Sequence, residues 1–206
     1  MSSMDEKDKA SESHVGSGSG QDVSPWRLFF SVLFTPVQGL KRLKNSKLDP
    51  AVMVSRVYYP VLALVSAAAF MDLAYGLDND ISSILQNAVA LFVSFFITYF
   101  ALFPAAGGLL GKNVSEKLAS GYGRRLVSVT LTVLALNFLL YELCPVLEPV
   151  LFFAPVYTIY LITRGVKFLR LDDKRNTACI MVIVLLEIGL PYLIYWCLKA
   201  FLQINM

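Results

Sequence analysis

Beyond residue 56 the chain passes through five apolar blocks, residues 57–75, 84–110, 126–144, 146–163 and 178–202. Each approaches or exceeds the ~20 residues a helix needs to cross the hydrocarbon core of a bilayer. Soluble core helices can be apolar, but five such blocks in 206 residues leave little polar surface to face water. The composition agrees: 56% of residues are hydrophobic and 16% are charged, against roughly 25% charged in an ordinary soluble domain. The expected fold is all-α, a polytopic membrane protein with a five-span helical bundle. Three regions are expected: a polar tail at 1–24, an amphipathic basic arm at 25–48, and the bundle at 49–206.

The tail, "MSSMDEKDKASESHVGSGSGQDVS", cannot bury enough apolar surface to offset the entropy of ordering, and is expected to be disordered. It has no apolar h-region, so it does not read as a cleaved signal peptide. Its "GSGSG" lacks the Lys-Ser/Thr of a phosphate loop and reads as a flexible linker. The single histidine, His14, lies here, which removes histidine from any site in the bundle.

Charge orients the spans. Of the 18 Lys and Arg residues, all but Lys199 precede the first block or lie in the loops after the second and fourth. The intervening loops, around Asp78-Asn79-Asp80 and Cys144-Pro145, have none. By the positive-inside rule the N-terminus is cytoplasmic and the C-terminus outside. The sequon at Asn113 then falls on the cytoplasmic side and is expected to be silent. A net charge of +3 is too mild for a nucleic-acid binder. Cys144, Cys179 and Cys197 have no metal-ligand spacing and read as buried, unpaired thiols.

The arm begins greasy and ends basic: "PWRLFFSVLFTPVQGLKRLKNSK". Its apolar run, Trp26 to Phe34, would make about 13 Å of helix, too short to span. Ser24-Pro25, Thr35-Pro36 and Asp49-Pro50 each look like an N-cap followed by proline at the first helical position. Two short helices joined at Thr35 are therefore expected. Trp26, Phe29, Phe30, Leu33, Val37, Leu40 and Leu43 follow three-or-four spacing, with Lys41, Arg42, Lys44 and Lys47 off that stripe. Two readings follow: an in-plane helix pair with basic residues among anionic headgroups, or a packing collar beneath the bundle. Trp26, Lys41, Arg42, Lys44 and Lys47 are the candidate lipid contacts.

This arrangement resembles the Yip family (Ypt-interacting proteins) of integral membrane proteins, particularly its bacterial branch. The similar stretches are "PVYTIYLITRGVKFLRLDDKRNTACIMVIVLLEIGLPYLIYWCLKAFL", Pro155 to Leu202, and "LASGYGRRLVSVT", Leu118 to Thr130. The resemblance implies five spans, an N-in/C-out topology, and residence in a bacterial cytoplasmic (inner) membrane. The Asp-Leu-Tyr-Gly-Pro motif of eukaryotic members is absent, and with it the residues that would imply their role with small prenylated GTPases.

Glu187 is the one acid placed at mid-depth, about 14 Å into the fifth block behind the apolar run "MVIVLL". A charge there costs on the order of 3 kcal/mol. It reads either as a protonated residue bridging helices or as an ion or proton site, with Asn137 and Asn87 as candidate partners. Asp72, Glu142 and Glu148 sit at outer ends and read as solvated. Pro104, Pro155 and Pro191 are expected to break spans. No G-x-S-x-G, H-E-x-x-H or intramembrane aspartate pair occurs, so no enzyme, cofactor or metal is expected. The expected function is a non-enzymatic, membrane-organising scaffold with a basic cytoplasmic face. The alternative is a small transporter or channel subunit using Glu187. Candidate partners are the bilayer, anionic lipids, a membrane or cytoplasmic protein, and a second copy of the chain.

Overall fold

Prolines set where several helices begin. Pro25, Pro36, Pro50 and Pro155 all stand in the first turn of a helix, where a missing N–H leaves no bond unmade and φ is already suitable. A computed structural model describes residues 24–76, 80–111, 116–144, 153–168 and 173–204. The expected disordered tail with His14, the loop residues Asp78 and Asn79, Lys112 and Asn113, Glu148, and Arg170 with Asp172 lie outside them. The described residues form seven helical segments: α1 (Pro25–Phe34), α2 (Pro36–Asn45), α3 (Pro50–Tyr75), α4 (Ile81–Gly111), α5 (Glu116–Leu143), α6 (Ala154–Lys167) and α7, from Asp173 to Ile204.

Four helices are long and apolar enough to cross a membrane: Pro50–Tyr75, Ile81–Ala105, Gly121–Leu143 and Thr177–Leu202. They begin earlier than the apolar blocks because the residues just ahead of each block continue the helix. The fourth expected span, 146–163, differs. Its described helix starts only at Ala154, with Pro155 in the first turn rather than in a span interior, and its 14 residues reach about 21 Å. Among the described residues the count of long apolar helices is therefore four, not five.

α5 is the central helix. In its apolar window 67% of the residues are buried, against 22% in α7. One core joins α1, α2, the start of α3, Leu102 of α4, α5, α6 and the start of α7; a second joins α3, α4 and α5. Ser128, Thr130 and Thr132 of α5 are buried in apolar surroundings because each hydroxyl donates back to a carbonyl of its own helix, at 2.8, 2.9 and 2.6 Å. Cross-contacts fix the directions. Tyr122 of α5 reaches Gly165 of α6, while Pro155 and Phe138 share a hollow farther along, so these helices are antiparallel. Tyr75 and Leu143 meet at the ends of α3 and α5, which run parallel. Tyr195 meets Asn87, so α7 opposes α4. Successive long segments thus alternate between an arm end and a far end.

Two helices widen into a π turn, Val54–Tyr58 in α3 and Leu185–Gly189 in α7. Both turns centre on the residue four before a proline: Arg56 before Pro60, and Glu187 before Pro191. Proline has no N–H for the carbonyl four residues back. The wider turn re-routes the local bonds, as in Tyr59 N–H donating to the Val54 carbonyl five residues earlier.

Candidate functional site

The arm folds back on itself. Gly39 of α2 crosses α1 so closely that a Cβ would stand 2.5 Å from the Val32 Cα. Arg42 Nη1 donates to Ser31 Oγ at 3.4 Å. α1 and α2 therefore form an antiparallel hairpin whose tip is Phe34 to Val37. The tip lies along α6, with the Tyr157 hydroxyl donating to the Leu33 carbonyl at 2.6 Å. At the hairpin base Lys44 Nζ donates to the Phe168 carbonyl at 2.7 Å. The hairpin thus runs beside most of α6 rather than across the bundle's end.

The expected single stripe is split between two faces. Leu28, Phe29, Val32, Leu40 and Leu43 are buried against the bundle. Trp26, Phe30, Phe34 and Val37 are exposed, at 36, 44, 74 and 53%. Trp26 stacks on Phe30 and Phe30 on Phe34, with centroids 5.9 and 6.1 Å apart, forming an outward aromatic ladder. The caps differ in part from expectation. Asp49 Oδ1 accepts from the Ala51 N–H at 2.9 Å, as its position before Pro50 suggests. Ser24 and Thr35 make no side-chain N-cap bond; the Thr35 hydroxyl donates instead to the Ser31 carbonyl, finishing α1.

The basic residues separate by role. Lys44 caps the end of α6, a structural use its exposed-face position did not suggest. Lys41 and Lys47 are exposed, and Arg42 is exposed apart from its Ser31 contact. Sequence reasoning passed over Arg125, which is 4% exposed and holds the α2–α3 linker: Nη1 donates to the Ser46 carbonyl, to Ser46 Oγ at 3.3 Å and to the Leu48 carbonyl at 3.0 Å. Lys44, Lys47 and Arg125 line a shallow hollow beneath that linker.

Tyrosine hydroxyls were also missed. Tyr157, Tyr122 and Tyr75 donate to the carbonyls of Leu33, Gly165 and Leu143, at 2.6, 3.0 and 2.6 Å. Each acceptor lies in the last turn of a helix, where carbonyls run short of intrahelical donors, although Gly165 also accepts from the Phe168 N–H at 3.2 Å. With Lys44, these side chains close the ends of α1, α5 and α6 from neighbouring elements.

Glu187 is fully buried, at the centre of the α7 π turn. Neither carboxyl oxygen has a hydrogen-bond partner. Thr130 of α5 faces it, and Tyr58 of α3 lies within its field. Neither is a donor to it: the Thr130 hydroxyl bonds to Leu126 and Val127 carbonyls at 2.9 and 3.3 Å, and the Tyr58 hydroxyl to the Phe95 carbonyl at 2.8 Å. The two asparagines expected as partners are elsewhere. Asn137 lies seven residues beyond Thr130, about 10 Å along α5, with its Oδ1 buried and unpartnered. Asn87 Oδ1 accepts from the Tyr195 hydroxyl at 2.6 Å. The three intramembrane candidates are thus not one cluster.

None of Cys144, Cys179 and Cys197 is in a disulfide, and only Cys179 is buried. Among the described residues no group of three potential metal ligands comes together. No protein-family model, curated protein or solved structure matches the chain. The likeness to the Yip family rests on the expected arrangement of arm and spans and on the stretches quoted above.

Proposed function

We propose that the chain is a non-enzymatic membrane-organising protein of Yip type, whose N-terminal hairpin enters the cytoplasmic leaflet as a wedge. The observation that carries this is the hairpin's outward ladder of Trp26, Phe30, Phe34 and Val37, fixed in place by the buried face behind it. Each hairpin helix has 10 residues, about 15 Å, which is half of a ~30 Å hydrocarbon core. Inserted from one side, it adds volume to one leaflet only. Lys47 beyond its base then sits among anionic headgroups, and Lys41 reaches towards them from midway along α2, each worth about 1 kcal/mol there.

With α6 counted as the described part of a further crossing, the chain crosses five times, N-terminus inside and C-terminus outside. The alternation of α3 to α7 supports that count, as does the gathering of Arg27, Arg56, Arg124, Arg164 and Lys167 towards the arm end. Carbonate extraction tests integration. Cysteine labelling from outside should reach a cysteine placed at Asn79 and miss one placed at Lys117 or Lys174.

The wedge is tested by reconstituting the full chain with phosphatidylglycerol and phosphatidylethanolamine and imaging vesicle shape. The wild-type chain should produce tubules or small vesicles. A Phe30→Ser, Phe34→Ser, Val37→Ser variant should insert equally and leave vesicles unchanged. Equal deformation by both would end the wedge reading.

A second reading, a small transporter or channel subunit, is favoured by the buried, unpartnered Glu187. Glu187→Gln separates the two: a proton-coupled carrier loses its function, whereas vesicle deformation is untouched.

A further inference from the structure

α6 and α7 pack closely only along Asp173–Val184. Beyond the π turn at Leu185–Gly189 and Pro191 they part. Between them, closed behind by α5 and by Leu91 of α4, lies a hollow of about 550 Å³. Its walls include Phe138, Val156, Ile159, Tyr192 and Trp196, with the polar side chains of Asn137 and Glu142 among them. Several of these are exposed, Val156 at 58% and Trp196 at 66%, so the hollow is open at the side. At its far end Tyr195, also in the wall, donates to Asn87 Oδ1 and receives Lys199 Nζ at 3.5 Å. Lys199 is the sole described basic side chain at this end of the bundle.

We propose that this hollow holds one acyl chain of a phospholipid from the outer leaflet, with the lipid phosphate at Lys199. The proposal rests on the crossing and orientation proposed above, which carbonate extraction and the cysteine labelling test separately. The volume falls within the range of about 300–1,000 Å³ typical of sites for lipophilic small ligands. The walls are mostly apolar, with Asn137 and Glu142 among their few polar groups, and an opening between two lipid-facing helices admits hydrocarbon directly. Aromatic walls supply large contact area at low entropy cost. Lys199 stands one turn beyond Tyr195, where the polar interface begins. A lysine there opposes the charge bias that orients the other 17 basic residues, and a phosphate gives it a partner. The lipid would fill the gap beside the Pro191 break, tying α6 to α7 where they pack less closely.

The test is native mass spectrometry of the full chain in a mild maltoside detergent, titrated with palmitoyl-oleoyl phosphatidylglycerol. Wild type should retain one lipid per chain, and so should Leu193→Trp, a substitution on exposed surface outside the hollow. Ile159→Trp fills the hollow and should lose that lipid. Val156→Trp, at a more exposed wall position, serves should Ile159→Trp fail to fold. Lys199→Gln should weaken retention on the order of tenfold, the loss of one charge-assisted contact. Palmitoyl-oleoyl glycerol, which lacks the phosphate, should bind the wild type as weakly as phosphatidylglycerol binds Lys199→Gln. Inorganic phosphate alone should not compete. The proposal is overturned if the folded Trp variants keep the lipid, if wild type retains none, or if phosphate alone competes at Lys199.

Discussion

Gly39 offers the sharpest test of how the arm is built. An alanine Cβ there would lie 2.5 Å from both the Ser31 carbonyl carbon and the Val32 Cα, all backbone atoms that cannot rotate aside. Carbon atoms rest at about 3.5–4.0 Å, so Gly39→Ala must push α1 and α2 apart by about 1 Å. The gap opens among Leu28, Val32, Leu40 and Leu43, none more than 1% exposed. Overpacking of this kind costs about 1–3 kcal/mol, and the better helix propensity of alanine offsets about 0.5–1 kcal/mol of it. The expected net loss is about 0.5–2 kcal/mol, which shifts arm release by about twofold to thirtyfold. Limited proteolysis between Pro25 and Lys47 reads that release, alongside thermal unfolding in detergent. Gly121→Ala is the control, since a Cβ there meets nothing within 4 Å. Should Gly39→Ala resist protease as well as wild type while Gly121→Ala behaves alike, the close crossing of α1 and α2 is wrong.

Other outcomes follow from the same geometry. Glu187→Leu removes a buried carboxyl with no partner and should stabilise the chain by about 1–3 kcal/mol in a denaturant titration; a marked loss would show that the carboxyl has a strong partner. Tyr122→Phe leaves the Gly165 carbonyl with one donor fewer and should cost about 1 kcal/mol; an unchanged midpoint would argue against the hydroxyl cap. Lys44→Gln should loosen the arm in proteolysis, whereas Lys47→Gln should spare the fold and lower only the preference for phosphatidylglycerol over phosphatidylcholine vesicles. Pro191→Ala restores a donor to the Glu187 carbonyl, and should bring spin labels placed at Ile159 and Leu193 closer together as the break in α7 straightens.

Much of the local structure was legible. The arm's two helices, their joint at Thr35 and the Asp49 cap follow from proline and cap chemistry, which act within a few residues. The apolar run before Glu187 matches its full burial. The fold-back of the arm did not, because residues 26, 30 and 34 and residues 28, 29 and 32 both satisfy helical spacing, and periodicity does not tell one broad stripe from two faces. The available signal was Gly39, a glycine inside an otherwise regular amphipathic helix. The π turns were legible in principle: Pro60 and Pro191 each strip a donor from the carbonyl four residues earlier. The tyrosine caps were not, since their acceptors are backbone carbonyls that carry no residue signature. Asn137 and Asn87 were matched to Glu187 by polarity and depth alone, and helix direction and register put them beyond its reach.

The most direct test of the wedge is the depth of its tip. In a chain with Cys144, Cys179 and Cys197 replaced, a spin label is placed at Phe34 or at Lys41, and the protein is reconstituted into phosphatidylglycerol-containing bilayers. Power saturation then compares collisions with oxygen, which concentrates in hydrocarbon, and with a water-soluble nickel chelate. The label at Phe34 should favour oxygen strongly and lie about 10–15 Å below the headgroups, near mid-bilayer, while the label at Lys41 should lie closer to the interface. A label at Phe34 that meets the nickel chelate as freely as one at Lys41 would contradict the account: the hairpin would then sit in water.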